Sequence, residues 1–584
     1  MNDEQLQKIR HSLSHLMSMA VIQLYPNAGL GVGPAIDKGF YQDYDLPDSI
    51  NPNVLLKLEN KIKELIKQDI KFEQHDMSFD EAYDFYKNDP YKTWFIDDLK
   101  SKGETKVSFY KSGDFDNLCS GPHITVTSEI NPDAFKLTKI AGAYWRGDEK
   151  NKMLQRIYGV AFETKEDMDK YLESQEQAKL RDHRRLGQEL DLFTFSDLVG
   201  AGLPMYTPRG TVLIDQLKGM LREISKKYDM LPVSIPHLAK IELYETSGHA
   251  AKFSDELFCV KSHYDQEFIL KPVNCPHHTQ IYASNPRSYR DLPLRYIEQT
   301  MQYRDEKPGA IGGLQRTRGF TVDDGHTFCR PDQIEQEASM IVEVVKGFYE
   351  NLGLWGNHWV SLSVSDPKTP EKYIGDPADW TLAEKMLADV ADKYKLDAKK
   401  MEGEAALYGP KIDFMFQDAL GRETQLATIQ LDFAMPKRFE LKYTDSEGID
   451  NPPVMIHRAI LGSFERFIML LIEHYGGWFP FWLAPEQIRI LTINDKVSDY
   501  VDQIKDVLRN VVLMKPIKYG DVRFSVDDRN ESLGKKIREA TNWKIPVQII
   551  VGQKDKDARE VSIRTQSGEE KIKLDELTDY LQKF

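Results

Sequence analysis

The sequence predicts a multidomain protein of mixed α/β and α+β class, and three observations carry that expectation. The chain has 584 residues, enough for roughly three or four domains. Its composition changes character along its length, dividing it into four regions. Its C-terminal segment alternates short apolar runs with amphipathic ones. The hydrophobic fraction of 41% lets each domain bury a core without disulfides. The 29% charged and 11% aromatic residues are those of a soluble globular chain.

Residues 1–162 mix helical and strand-like segments, among them the strongly periodic helix VLLKLENKIKELIKQ from Val54 to Gln68. Residues 163–190 are charged, poor in large apolar side chains and free of Pro and Gly until Gly187, which predicts an exposed linker helix. Residues 191–485 are rich in Gly, Pro and aromatics at loop positions. In residues 486–584, Ile488–Ile493 reads as a buried strand followed by an amphipathic helix through Leu508. Then come Val522–Val526, a helix over Leu533–Ala540 and the apolar run Val547–Val551. Strands alternating with helices predict a small α/β domain with a mainly parallel sheet. The insertion LMKPIKY at Leu513–Tyr519 has no clear role.

Cys119, Cys259, Cys275 and Cys329 are scattered, which favours a reducing compartment over a disulfide framework. Met1–Val21 contains His, Asp and Glu throughout and lacks a secretory pattern. No run of about 18 apolar residues occurs, so no membrane span is expected and a cytoplasmic location is. The net charge of −15 does not exclude RNA, because phosphate binding needs only a local basic surface. Lys179–Arg185 and Arg523–Lys544 are two such runs, although either alone reads better as a solvated helix face.

The chain has no G-x-x-x-x-G-K-[ST], so a P-loop is excluded as an ATP site. It offers arginines instead: Arg304 in Y-R-D-E, Arg316 and Arg318 in L-Q-R-T-R-G-F, and Arg466 in ILGSFERFIMLL. A guanidinium grips phosphate bidentately whatever the pH. One such arginine is usually a surface or ion-pair residue; the combination is far more specific.

These segments resemble the three signature motifs of class II aminoacyl-tRNA synthetases. The helix Gly210–Tyr228 with the strand ending at Pro236 is similar to motif 1, which implies a homodimer interface. Tyr296–Phe320 is similar to motif 2, two strands joined by a loop, and Val454–Leu470 to motif 3. The class implies an antiparallel core of seven to eight strands that binds bent ATP with Mg²⁺ on its phosphates. By this resemblance Arg304 holds the α-phosphate, Glu306 the adenine amino group, and Phe320 stacks on the base. Arg316 and Arg466 hold the outer phosphates, with Gln425 nearby. Arg304 and Arg466 would be the catalytic pair, stabilising charge at phosphorus without a covalent nucleophile.

K-P-V-N-C-P-H-H, F-T-V-D-D-G-H-T-F and V-M-I-H-R-A-I-L-G-S narrow the resemblance to the threonyl-tRNA synthetases. There Cys275, His326 and His457 would bind one Zn²⁺ per chain; their spacing alone would not reveal it. Three protein ligands leave positions open, and threonine can chelate through its amino and hydroxyl groups while Asp324 takes the hydroxyl. Valine, lacking the hydroxyl, would leave buried polar groups unpartnered, which can reject it by about 10⁴-fold or more. Tyr408 in L-Y-G-P-K-I-D-F and Gln430 in T-Q-L-A-T-I-Q-L-D-F complete the substrate set. The chain departs from its relatives at Val322, where they carry glutamine, and in Y-R-D-E, where they often read C-H-R-N-E.

Serine lacks only one methyl of threonine, a difference worth about 1–3 kcal/mol, too little for translation. His11 and His15, spaced i, i+4 on a helix, with Cys119 and His123 in C-S-G-P-H, resemble this family's editing site. So do A-G-A-Y-W-R-G-D and M-L-Q-R-I-Y-G. The resemblance implies hydrolysis of Ser-tRNA(Thr) by a histidine-positioned water. Asn117 and Ser120 stand where many relatives have Asp and Arg, which bears on the rate. The ubiquitin-like domain that precedes the editing domain in bacterial relatives is not found ahead of His11.

Ile488–Phe584 resembles the anticodon-binding domain of the same subgroup. Asn530, Asp555 and Arg564 match base-contacting positions, Asp555 where glutamate is usual; unpaired anticodon bases suit such readout. The resemblance thus implies an editing domain (1–162), a linker helix (163–190), a catalytic domain (191–485) and an anticodon-binding domain (486–584). Its expected partners are tRNA(Thr), ATP, threonine and a second copy. A prolyl enzyme and a synthetase-like regulator without aminoacylation are the alternatives.

Overall fold

The computed structural model describes residues 2–47, 51, 53–148, 150–356, 358–418, 421–513 and 519–584. The core of the Leu513–Tyr519 insertion, residues 514–518, lies outside them. The chain forms two compact units, Met1–Glu176 and Gln177–Phe584.

In the first unit, helix α1 (Asp3–Leu24) starts at Asn2, whose side chain accepts the Gln5 N–H at 2.9 Å, with Asp3 and Glu4 in the first turn. Leu13, Leu16, Met17 and Ala20 pack with Leu58, Ile62 and Leu65 of α2 (Val54–Ile66). Both cover strand β1 (Gly39–Asp45) through Phe40 and Tyr44. A second, three-stranded sheet runs β2 (Phe72–Met77), β3 (Val107–Ser112), β4 (Phe115–Leu118). The end of β4 delivers Cys119 to α1. Helix α3 (Pro90–Ser101) brings Lys92 to the same place. The first sheet has five strands: β5 (Phe135–Tyr144) pairs β6 (Met153–Ala161), β6 pairs β1, and the short strands Gly29–Leu30 and Ala35–Ile36 pair β1 as well.

The linker helix expected over 163–190 is two helices, α4 (Lys165–Arg181) and α5 (His183–Glu189). The break has a local cause: Asp182 leaves helical geometry (φ −50°, ψ 121°) and caps α5, accepting the Arg184 N–H at 2.8 Å. Nor is α5 wholly exposed, since His183, Leu186 and Gly187 are buried. The boundary between the two units falls within α4. Within the basic run there, Arg184 pairs with Asp182 and Arg185 with Glu189.

The second unit is built on an eight-stranded sheet. Helix α6 (Pro208–Lys227), capped by Thr207, leads into edge strand β7 (Leu231–Pro232). The other strands are β8 (Leu294–Tyr303), β9 (Gly319–Cys329), β10 (His358–Val364), β11 (Lys399–Glu402), β12 (Lys411–Gln417), β13 (Glu423–Asp432) and β14 (Val454–Ala459). Their spatial order is β7-β8-β9-β14-β13-β12-β10-β11, antiparallel except for the pairs at the two edges. Helix α7 (Cys275–Ala283) packs on the site side. Helices α8 (Ile334–Asn351) and α9 (Phe464–Tyr475) bury Val345, Phe348, Phe467 and Leu471 in the core behind the sheet.

The C-terminal part of this unit is a five-stranded sheet ordered β16 (Phe524–Asp527), β15 (Ile488–Thr492), β17 (Val547–Val551), β18 (Glu560–Thr565), β19 (Gly568–Lys573). Helices α10 (Ser498–Arg509), α11 (Leu533–Asn542) and α12 (Gln553–Ala558) connect the strands. The first three strands are parallel, as alternating strands and helices predict. A β18–β19 hairpin adds two antiparallel strands at one edge, because its short turn allows no crossover.

Candidate active site

Strand β9 carries the centre of the site. Period-two geometry puts Phe320, Val322, Asp324 and His326 on one face, while Asp323 turns to the other. There Asp323 accepts the Ile460 N–H at 3.0 Å and faces Arg458 at 3.5 Å. In register, His326 lies opposite His457 of β14, and His457 lies opposite Gln430 of β13. Cys275 opens α7 nearby. Ligand atoms of Cys275, His326 and His457 lie within 4.8 Å of one another, and all three residues are buried.

The donor set fits zinc. One thiol and two imidazoles are its usual ligands, and atoms around a tetrahedral ion stand roughly 3–4 Å apart. The outer nitrogens are held: His457 Nε2 is 2.9 Å from Asp432 Oδ2, and His326 Nδ1 is 2.7 Å from His278 Nδ1. Such partners orient ligands and fix their tautomers. Burial pushes the Cys275 thiol well up and the His326 imidazole well down. Asp324 Oδ2 accepts from Asn274 at 2.9 Å and Gln302 at 3.4 Å, while burial raises its carboxyl above the usual range.

Beside this centre are two cavities that share Arg304. One, of ≈ 290 Å³, is lined by Arg304, Glu306, Arg316, Phe320, Gln425 and Arg466, together with Val322 and Ser463. All six residues expected at ATP therefore face one space. Arg304 lies over the Phe320 ring at 5.3 Å, and Arg316 Nε is 2.7 Å from Glu306 Oε2. Arg466 Nε donates to Gln315 O at 2.9 Å, and Gln425 is fixed by Asp413 at 2.7 Å. Burial, with Arg304 and Arg316 beside it, lowers the Arg466 guanidinium. The other cavity, of ≈ 320 Å³, is lined by Arg304, His249, Phe253 and Tyr408. The Tyr408 ring is 4.9 Å from that of His457, which brings this cavity to the candidate metal ligands. Burial, and then the charges of His457 and Arg304, push His249 down to about 4.

In the first unit, His11, His15, Cys119 and His123 converge, with their ligand-type atoms within 4.8 Å. Cys119 Sγ is 3.4 Å from His11 Nε2 and 3.3 Å from His123 Nε2. Ser12 Oγ is 3.1 Å from His123 Nδ1, and His11 Nδ1 is 3.2 Å from Pro122 O. A cavity of ≈ 450 Å³ opens on this group and includes Lys92, Asn117 and Ser120 in its lining. Burial lowers His11, His15 and His123 and raises Cys119, which in each case favours the uncharged form. Burial also brings Lys92 down to about 8. Asn117 Oδ1 accepts the Tyr86 hydroxyl at 3.0 Å.

At the C-terminal end, Asn530 is exposed and Arg564 is half-buried and paired with Glu569. Asp555 is different: it is 6% exposed and accepts from Gly552 N (2.9 Å), Ser562 Oγ (3.1 Å) and Lys571 Nζ (3.0 Å). These bonds commit the carboxylate to tying α12 to the β18–β19 hairpin.

Sequence reasoning missed Asn274, His278, Asp432, His249 and Lys92. The first three sit inside or beside the runs already singled out, N-C-P-H-H and Q-L-D-F, so their polar character next to proposed ligands was the available signal.

Comparison with known proteins agrees with this geometry. A family model for the tRNA synthetase class II core domain (G, H, P, S and T) matches residues 258–475. The anticodon binding domain matches 487–584, and the threonyl and alanyl tRNA synthetase second additional domain matches 107–158. The threonine–tRNA ligase of Gloeobacter violaceus is 43% identical over 99% of this chain and 92% of its own length. That of Thermosynechococcus vestitus is 44% identical over 97% and 92%. Among solved structures, the RNA binding domain of threonyl-tRNA synthetase from Cryptosporidium parvum superposes with a TM-score of 0.63 at 34% identity, covering 69% of this chain and 98% of that one. Prolyl-tRNA synthetase from the same organism, at 18% identity and a TM-score of 0.54, shares the fold alone. Near-full-length identity to curated relatives and three domain matches in order place the chain in a single family: it belongs to the threonine–tRNA ligases, class II aminoacyl-tRNA synthetases.

Proposed function

We propose that this chain activates threonine with ATP at the β9 site, esterifies it to tRNA(Thr), and hydrolyses Ser-tRNA(Thr) at the His–Cys quartet. The observation that carries the reading is the convergence of Arg304, Glu306, Arg316, Phe320, Gln425 and Arg466 on one cavity beside Cys275, His326 and His457.

In this reading Phe320 and Glu306 receive the adenine, while Arg304 lies at the α-phosphate between the ATP and amino-acid cavities. Arg316, Arg466 and Gln425 surround the rest of the triphosphate, whose Mg²⁺ enters with the nucleotide. Fixed guanidinium charge stabilises the transition state for carboxylate attack on phosphorus and needs no reorganisation at the moment of reaction. Cys275, His326 and His457 would hold Zn²⁺, which supplies open coordination positions for the amino and hydroxyl groups of threonine. Asp324, steadied by Asn274 and Gln302, accepts the hydroxyl, and Tyr408 and Gln430 close the substrate pocket.

For editing, three neutral imidazoles around Cys119 can orient a water and take its proton, and Lys92 offers positive charge to the developing oxyanion. In the C-terminal region Asn530 and Arg564 read anticodon bases, with Asp555 acting through the order it imposes on their surroundings. A homodimer is supported by the motif 1 helix α6 leading to edge strand β7, where Leu231 is 47% exposed, and by the fully exposed Leu198. Four free cysteines suit a cytoplasmic location. Among the described residues, no helix is long and apolar enough to cross a membrane. The proposed domain limits are 1–162, 163–190, 191–485 and 486–584, the second now read as two helices.

The deciding experiment is amino-acid-dependent ATP–pyrophosphate exchange with threonine, serine, valine and proline, on protein assayed for zinc. Exchange with threonine, leakage with serine, none with valine and one zinc per chain support the reading. Exchange with proline, or with no amino acid, overturns it.

A further inference from the structure

His183 opens α5 and is 3% exposed, outside the three cavities described above. Its Nδ1 is 2.8 Å from Glu473 Oε1, and its Nε2 is 3.2 Å from the backbone nitrogen of Leu314. A backbone amide can only donate, so Nε2 must carry the lone pair and Nδ1 the proton. The ring is therefore the neutral tautomer, donating to Glu473 and accepting from Leu314. Glu473 is 1% exposed and lies in the last turns of α9.

Leu314 belongs to the loop that joins β8 to β9 and carries Arg316. The next residue, Gln315, receives Arg466 Nε through its carbonyl at 2.9 Å, and Arg466 lies in the first turn of α9. Two consecutive loop residues are thus tied to the two ends of one helix, directly by Arg466 and through His183 by Glu473. Gly313 fits this arrangement: its φ of +51° suits glycine, and a Cβ there would collide with His183 Nε2.

We propose that His183 is a positioning residue for ATP, fixing the β8–β9 loop so that Arg316 and the Gln315–Arg466 contact are set before nucleotide arrives. It touches no substrate. Its effect belongs on the ATP side of the reaction and not on the threonine side. The inference rests on the ATP-site reading above.

The test compares wild type with His183→Leu combined with Glu473→Gln, which removes the bridge without leaving a buried charge, and with His183→Gln, which can still donate and accept. One lost hydrogen bond of about 1–1.5 kcal/mol predicts a rise in KM for ATP of roughly five- to tenfold in pyrophosphate exchange. KM for threonine should stay within about twofold on the same argument, because the threonine cavity includes none of residues 312–316. His183→Gln should recover most of the loss, and backbone amides of residues 312–316 should exchange faster in the double variant but not in His183→Gln. Gly313→Ala, which presses on the same contact from the loop side, should show the same signature and serves if the double variant does not fold. A folded variant with unchanged KM for ATP, or with both KM values raised equally, overturns the proposal. Arg316→Ala and Arg466→Ala are run in parallel: if they too leave ATP kinetics unchanged, the ATP-site reading has failed, and if they do not, only the role of His183 has.

Discussion

Gln430 stands opposite His457 across the β13–β14 ladder, and its amide nitrogen is buried with no hydrogen-bond partner among the described residues. A buried donor left unsatisfied costs about 1–3 kcal/mol, which a substrate oxygen at that point would offset. Gln430→Leu should therefore keep or raise stability while increasing KM for threonine by about tenfold or more. KM for ATP should hold. Steady-state pyrophosphate exchange with each substrate varied separately checks this; equal effects on both would refute it.

Cys275 supplies the thiol of the proposed zinc site from the first residue of α7. Cys275→Ala should abolish zinc retention and threonine-dependent exchange without unfolding the sheet, since His326 and His457 stay in register through backbone bonds. Metal analysis and circular dichroism on the same sample are the measurements. Full zinc occupancy in the variant would remove the site.

His123 of the quartet meets Cys119 and, outside the quartet, Ser12. His123→Ala should slow hydrolysis of Ser-tRNA(Thr) by about 10²- to 10⁴-fold, the usual worth of a positioned acid–base group. Threonine charging should be unaffected, and a deacylation assay beside an aminoacylation assay separates the two outcomes.

Burial pushes Glu465 from its ordinary 4.5 up to about 8, outweighing the hydrogen bond it accepts from Thr321 N at 2.9 Å. Between those values the folded carboxyl keeps a proton that the unfolded one has released. Its contribution to stability is fully present below about pH 4.5 and is lost as the pH rises through about 8. Glu465→Gln keeps the acceptor without the charge, so it should melt higher than wild type near pH 8, by on the order of 1–3 kcal/mol, and not at pH 4.5. Thermal denaturation of both proteins across that range checks the sign.

Arg564 pairs with Glu569 on the hairpin β18–β19. Arg564→Ala should raise KM for tRNA roughly 5- to 100-fold, as loss of one base contact does, and leave pyrophosphate exchange unchanged. A fall in exchange would show that its role is not in tRNA binding.

Much of this arrangement was legible before the structure through the resemblance of its motifs, and the local period of the elements shows why those residues fall together. The alternation along β9 assigns Phe320, Asp324 and His326 to one face, and the helical spacing of His11 and His15 assigns them to one stripe of α1. What was not legible depends on contacts made only after folding. Nothing in the sequence links Asp432 to His457 or His278 to His326, because those bonds join separate elements. The break at Asp182 was hidden by helix-favouring neighbours on both sides, and only its capping of α5 explains it. Asp555 looked free to meet a base because sequence does not show that Gly552, Ser562 and Lys571 already hold it.

Strand β9 also acts as a ruler. Phe320 and His326 are separated by six residues of extended chain, roughly 20 Å at the usual rise, and that length is set by backbone geometry. The separation between the proposed adenine platform and the proposed metal ligand is therefore stiff. A single deletion in β9 between Phe320 and His326 would put the proposed base stacker and the proposed zinc ligand on opposite faces of the sheet, so this segment should tolerate substitution but not a change of length. By the same measure, an inhibitor designed to occupy both ends at once must match a fixed span and gains nothing from a flexible tether longer than it.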